Sequence, residues 1–120
     1  MSVLIKINNT TIQVYLVYCP PPVNIKELAT DIQAMLKGNK GDTPTIICGD
    51  FNVDLLKCNK NNQLLQEMTK YGFTQIVKAA TTDYTSLLDH IYVNKGINAT
   101  ATVSDCYYSD HDIIQVNLQV

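Results

Sequence analysis

The sequence lacks any apolar run approaching the ~20 residues that a membrane-crossing helix needs, so no helical span through a bilayer is expected. It also lacks a basic excess. With a net charge of -2 there is no global positive field to draw the chain onto nucleic acid, and any such recognition must be local. The four cysteines (Cys19, Cys48, Cys58 and Cys106) are scattered, with neither paired metal-ligand spacing nor the density of a disulfide framework. The N-terminal Val3-Leu4-Ile5-Lys6-Ile7 is too short and too soon charged for a signal peptide. These absences set the expectation of an intracellular protein, nuclear or cytoplasmic and not secreted, in a reducing compartment. No internal repeat, low-complexity tract or linker divides the 120 residues, so one domain is expected, able to bury about two-thirds of its unfolded surface.

What is present is a hydrophobic share of 46%, ordinary for a globular chain, arranged in recognisable periods. Val3 to Ile7 and Thr11 to Tyr18 are rich in β-branched residues and flank the turn-formers Asn8-Asn9-Thr10, which predicts an antiparallel hairpin. In its second strand both faces are mainly apolar. Pro20-Pro21-Pro22 ends that strand. Asn24 then offers an N-cap oxygen with Glu27 at the third helical position, and Ile25, Leu28, Ile32, Met35 and Leu36 recur at helical spacing until Lys37-Gly38. After a polar loop from Asn39 to Pro44, Ile46-Ile47-Cys48 reads as a strand buried on both faces and stopped by Gly49.

A second helix is predicted over Asn62 to Tyr71, with Leu64, Leu65, Met68 and Tyr71 inward and Gly72 closing it. Phe73 to Val77 follows as a short extended segment. Leu87 to Asn94, Ala99 to Val103 and Asp112 to Val120 complete the strands. The expected fold class is α+β, a mixed β-sheet with covering helices on one side.

Polar residues suited to phosphate chemistry gather at the strand ends. In Gly49-Asp50-Phe51-Asn52, Asp50 can orient and deprotonate a water, and the uncharged amide of Asn52 can hold a phosphate oxygen. An Asx-type turn is the plainer reading of the same residues. Asp89, inside the apolar strand Leu87-Leu88-Asp89-His90-Ile91, needs a specific donor because a buried unpaired carboxylate is costly. His111 in Ser109-Asp110-His111 is the candidate, and an Asp–His dyad would favour its protonated form. Asp110 then becomes a candidate for orienting a metal-bound water or contacting the metal. His90 falls on the opposite face of its strand from Asp89 and reads as a packed or surface histidine. Tyr18, at the strand end, can reach a scissile phosphate or serve merely as a rim aromatic. Thr81, Thr82 and Ser86 read as structural residues of the loop before Asp89. The seven tyrosines are explained by half-buried strand positions about as well as by stacking surfaces.

Taken in order, the Tyr-x-Pro strand end, Gly-Asp-Phe-Asn, a Thr-containing loop leading to Leu-Asp-His-Ile and Ser-Asp-His resemble the second half of the endonuclease/exonuclease/phosphatase superfamily. Gln75-Ile76-Val77 and Tyr84 to Asn94 further resemble endonuclease domains of non-LTR retrotransposons. The resemblance implies the C-terminal half of a four-layer α/β/β/α sandwich and Mg²⁺ (or Mn²⁺) as cofactor. It implies that Asp50 activates water, Asn52 stabilises the phosphate, Asp89 orients His111, Asp110 lies near the metal or leaving group, and Tyr18 contacts the phosphate. DNA is the implied substrate and partner. A noncatalytic remnant that binds nucleic acid or a partner, or a phosphatase acting on small phosphoesters or inositol lipids, are the alternatives.

Members of this superfamily carry an Asn and a metal-binding Glu in their first half, and no matching motif occurs here. Glu27 and Glu67 fall on predicted helices and are poor substitutes, and Pro21 departs from the Tyr-x-Pro-Asn form. The expectation is therefore a half-fold with an apolar sheet face left open, which self-associates, needs the missing N-terminal half or is marginally stable.

Overall fold

The computed structural model describes residues 1–37, 43–57 and 62–119. Two strands open the chain, β1 (Ser2–Ile7) and β2 (Thr10–Tyr18), paired antiparallel with Ile7 opposite Thr10. Asn8 and Asn9 link them with φ of 48° and 67°, the left-handed pair that a two-residue hairpin turn requires and that asparagine tolerates. The helix α1 (Ile25–Leu36) starts where expected. The Asn24 side-chain oxygen accepts from the backbone N–H of Lys26 at 3.0 Å and of Glu27 at 3.2 Å, satisfying two donors that the helix itself cannot.

Strand β3 (Thr45–Asp50) lies parallel to β2, which makes β2–α1–β3 a crossover unit. Helix α2 (Asn62–Lys70), the short β4 (Phe73–Gln75), β5 (Asp89–Asn94) and the pair β6 (Asn98–Ser104) and β7 (Ile113–Gln119) follow. The five-stranded sheet has the order β1-β2-β3-β5-β4, with β5 antiparallel to both β3 and β4. The mixed sheet and its covering helices are those expected. The expected stop at Gly38 and the loop positions 39–42 fall outside the described residues, as does Cys58.

Two apolar clusters show how the layers meet. On one face Ile47, Tyr92, Phe51 and Cys19 pack with Leu28 and Ile32 of α1 and Leu64 and Met68 of α2. On the other, Ile12, Ile46, Ile91 and Val93 pack with Ala101, Val103, Ile114, Val116 and Leu118 of β6 and β7. Each large side chain so buried contributes about 1.5–3 kcal/mol. The last two strands thus form a two-stranded sheet of their own on the face opposite the helices, and do not extend the mixed sheet. Their alternation has the same cause in either arrangement, since one face of each strand is buried and the other is wet.

Other differences are local. Tyr71 is exposed and lies past the end of α2, where Gly72, at φ 82°, closes the turn. Strand β5 begins at Asp89, so Leu87 and Leu88 belong to the preceding loop. Over β2, β3 and β5 the sheet face expected to lie open is covered by β6 and β7, while Val3, Leu4 and Ile5 of β1 and Leu16 of β2 remain exposed.

Candidate active site

Register places the site. Tyr18, the last residue of β2, lies beside Asp50, the last of β3, and Asp50 lies opposite Asp89, the first of β5. Period-two alternation turns Asp50 and Asp89 to the face where Ile46 and Ile91 meet β6 and β7. His111 reaches them from that layer, through a bridge between Thr82 and His111 just before β7.

Gly49 makes this register possible. Its φ is 146°, and a Cβ built there would lie 1.8 Å from the carbonyl oxygen of Val17. No other residue fits so close an approach between β2 and β3. The glycine read as a strand stop is therefore the residue that carries the strand one position further, to Asp50.

The three ionisable side chains form a compact group. His111 Nδ1 and Asp89 Oδ2 are 2.8 Å apart, and His111 Nε2 lies 3.7 Å from Asp50 Oδ2. The hydrogen bond to Asp89 is the largest cause raising the His111 pKa above its usual value. Partial burial opposes it, and the charges of Asp89, Asp50 and Asp110 add to it. The imidazole is thus favoured in its protonated form, with Nδ1–H donating to Asp89 and Nε2–H directed to the Asp50 side.

Asp50 has a second task. Its Oδ1 accepts from the backbone N–H of Asn52 at 3.0 Å, so one oxygen makes the plain Asx turn while the other faces His111. Asn52 sits at φ 50°, and its Nδ2 donates to the Cys19 carbonyl at 2.6 Å. That contact aims the amide between the ends of β2 and β3 and leaves one further amide N–H for a ligand. Tyr18 stands exposed at the same end of the sheet. Asp110 is also exposed and stands outside the compact group. Its backbone carbonyl accepts from the Asp83 N–H at 2.9 Å, tying the 81–86 loop to the Ser109-Asp110-His111 turn.

Of two supporting residues, Thr81 was expected as a structural residue of the loop before Asp89, and Asp54 was not flagged by the sequence. Thr81 is fully buried, and its hydroxyl oxygen accepts from the N–H groups of Leu88 and Asp89, each at 3.1 Å, while its carbonyl accepts from the Asp112 N–H at 2.7 Å. One threonine thereby fixes the approach to both members of the dyad. Asp54 Oδ1 accepts from Leu87 N–H at 2.9 Å, fastening the loop after β3 to the same segment. An aspartate 33 residues before the loop amide that it accepts from carries no periodic signal.

His90 is packed, as expected, but not inert. Burial lowers its pKa to about 4, against hydrogen bonds and nearby carboxylates that act the other way. The ring is therefore neutral, and Nε2–H donates to the Val53 carbonyl at 2.8 Å while Nδ1 accepts from the Tyr92 hydroxyl at 2.8 Å. This ties the loop after Asp50 to the strand that carries Asp89.

Among the described residues, Asp50, Asp89 and His111 offer ligand atoms that all lie within 4.8 Å of one another. The oxygens suit a hard divalent cation. The imidazole suits it less, because its Nδ1 is bound to Asp89 and its raised pKa favours the imidazolium. The fit is therefore to the carboxylates, with His111 as a neighbouring donor.

A model of the endonuclease–reverse transcriptase family matches residues 12–115. No curated protein matches the chain. Among solved structures, the endonuclease domain of TRAS1, a telomere-specific non-LTR retrotransposon, superposes with a TM-score of 0.84 at 20% identity, over 98% of this chain and 60% of that one. An endonuclease/exonuclease/phosphatase family protein from Leptotrichia buccalis gives 0.77 at 20% identity, over 99% of this chain and 53% of that one. A mannosyl-6-phosphatase from Bacteroides thetaiotaomicron gives 0.62 at 15% identity, over 94% and 53%. At these identities the likeness is one of fold. The chain spans 60% and 53% of the length of the first two structures.

Proposed function

Because this chain belongs to the endonuclease–reverse transcriptase family, within the endonuclease/exonuclease/phosphatase superfamily, we propose that it supplies the water-activating and charge-stabilising half of a Mg²⁺- or Mn²⁺-dependent phosphodiesterase acting on DNA. The observation that carries the reading is the Asp89–His111 pair at 2.8 Å with Asp50 facing the second ring nitrogen at 3.7 Å. That arrangement puts a carboxylate base and an imidazolium donor side by side at one end of the sheet.

In the proposed reaction Asp50 accepts the proton of a water attacking phosphorus, its free oxygen oriented by the Asx turn that holds the other. His111 hydrogen-bonds a non-bridging phosphate oxygen through Nε2–H as negative charge develops there. Asp89 keeps the ring in the required tautomer and charge state and does not itself touch substrate. Asn52 adds an uncharged donor, and Tyr18 contacts the phosphate from the end of β2. Asp50 and Asp89 would hold the cation, which when bound polarises the phosphate as a Lewis acid. Asp110 stands on the exposed rim, where it can reach such a cation's hydration shell.

The family's first-half Asn and Glu have no counterpart among the motifs of this chain, so full turnover is expected to need that half, and the chain alone to be weakly active or inactive. Supercoiled plasmid incubated with the chain and Mg²⁺ tests this directly. Nicking abolished by Asp50→Ala and by His111→Ala supports the reading, and nicking indifferent to both overturns it. Absence of nicking together with absence of calorimetric Mg²⁺ or Mn²⁺ binding supports the noncatalytic remnant. Faster turnover of a small phosphomonoester than of plasmid would move the assignment to a phosphatase, the activity named for one protein of the same fold.

A further inference from the structure

Two of the seven tyrosines are placed by packing: Tyr92 is fully buried, and Tyr15 packs at the edge of the helix-side cluster. Of the five exposed ones, Tyr18 ends β2 and Tyr71 follows α2, while three stand on loops: Tyr84 is 75% exposed, Tyr107 96% and Tyr108 97%. An aromatic ring left in water forgoes a large burial gain, so three on neighbouring loops beside a reactive group are unusual for a monomeric surface.

The loops that carry them are held together. Tyr107 and Tyr108 lie in the β6–β7 connection, immediately before Ser109-Asp110-His111. Tyr84 lies in the 81–86 loop, whose Asp83 N–H donates to the Asp110 carbonyl at 2.9 Å and whose Thr82 bridges to His111. Thr82 also fixes Tyr84, because its hydroxyl oxygen accepts from the Tyr84 N–H at 3.3 Å and pairs with Ser86 Oγ at 2.6 Å. The rings therefore stand on anchored backbone within a few residues of the Asp89–His111 dyad.

We infer that Tyr84, Tyr107 and Tyr108 form a stacking rim that receives unpaired nucleobases of the strand whose phosphate lies at Asp50 and His111. This rests on the nucleic-acid reading above and names the part of the substrate that the rim contacts. Three observations favour bases over backbone. The carboxylates of Asp83, Asp105 and Asp110 are interleaved with the rings and repel phosphate, yet they accept from the exocyclic amino groups of cytosine, adenine and guanine. The chain has no arginine, so the bidentate side chain that elsewhere reads bases and clasps phosphates is not available to it. The net charge of -2 supplies no general attraction to a duplex, whereas stacking is sequence-tolerant and does not depend on charge.

The test uses the wild-type chain in EDTA, so that binding is read without cleavage, with two probes: a single-stranded oligonucleotide carrying 2-aminopurine and a fully paired hairpin of the same sequence. The single strand is expected to bind with quenching of 2-aminopurine and with a shallow salt dependence, and the paired hairpin to bind more weakly. Tyr107→Ala with Tyr108→Ala should weaken single-strand affinity about tenfold to a hundredfold, Tyr84→Ala should weaken it further, and the Tyr→Phe versions should restore it. Thermal melts should not move, since the rings are exposed. Unchanged affinity in the alanine variants, equal loss in the phenylalanine variants, no binding of either oligonucleotide, or saturable binding of a lysine-rich peptide in their place would each overturn the inference. Plasmid nicking that needs Asp50 but not the tyrosines defeats the rim and leaves the enzyme reading intact. Tyrosine-dependent binding with neither nicking nor calorimetric Mg²⁺ or Mn²⁺ binding keeps the rim and defeats the enzyme reading.

Discussion

The imidazole of His90 lies flat against the ring of Phe51, with centroids 4.8 Å apart and planes within 5° of parallel. Phe51 is the residue between Asp50 and Asn52, and His90 is the residue after Asp89. The stack, with the hydrogen bond from His90 to the Val53 carbonyl, couples the backbone of the two strand ends from the helix side of the sheet, while Asp50 and Asp89 meet His111 on the other.

The coupling depends on a neutral ring, which makes it acid-sensitive. The folded-state pKa of His90 is lowered by burial to about 4 from the ordinary 6.5. Between those values the unfolded chain binds a proton that the folded chain does not, so this contribution is intact above pH 6.5 and is lost as pH falls toward 4. The shift corresponds to roughly 3 kcal/mol across that window. Urea unfolding at a series of pH values should show the decline, and His90→Phe, though less stable at neutral pH for leaving Val53 and Tyr92 without their partner, should flatten it. A slope unchanged in His90→Phe would assign the acid sensitivity elsewhere.

His111 titrates in the opposite sense. Its pKa is raised, first by the hydrogen bond to Asp89, so the stability that it contributes is present below the unfolded value of about 6.5 and is lost as pH rises through the folded one. Only two histidines are present, so their ring protons are readily separated by NMR. In metal-free protein, one set should titrate above the ordinary range and the other only in acid. Asp89→Asn should bring the higher one down, and in a nicking-competent protein it should move the alkaline limb of the rate profile to lower pH. A His111 titration unaffected by Asp89→Asn would separate the two residues.

Much of this was legible in the residues themselves. Asn8-Asn9 supplies the left-handed turn, Asn24 the cap of α1, and the spacing of Leu64 and Met68 the buried side of α2. The Asp89–His111 pair followed from the cost of an unpaired carboxylate in an apolar strand. Non-local matters were hidden. Gly49 reads as a breaker until the Val17 carbonyl is seen against it, and the alternation from Ile114 to Leu118 is the same whether β7 joins the main sheet or covers it. Tyr71 keeps helical spacing with Met68, but the helix ends before it.

Thr81 tests how far a buried loop threonine positions the dyad. Its hydroxyl oxygen takes two amide hydrogen bonds, from Leu88 and Asp89. Thr81→Val preserves shape and removes that acceptor, leaving buried donors unpaired at a cost of about 2 kcal/mol. Thr81→Ser keeps the oxygen and should cost about half as much or less. Because Asp89 shifts when its amide is released, the valine variant should also lower the His111 pKa, which the serine variant should not. Equal destabilisation by both would reduce Thr81 to a packing residue.

The edge of the sheet carries the last prediction. Among the described residues, strand β1 pairs only with β2, and Val3, Leu4 and Ile5 stay 45%, 65% and 39% exposed, with Leu16 at 46% beside them. An edge strand with apolar side chains on both faces is a template for another strand or a cover for another sheet. Sedimentation velocity should show association that grows with concentration, and Leu4→Lys should suppress it by placing a charge on the edge without entering the core. Plasmid nicking, where present, should survive that substitution, because β1 lies on the far side of β2 from Asp50. A wild-type chain that stays monomeric across the concentration range, with the same sedimentation as Leu4→Lys, would show that β1 needs no partner.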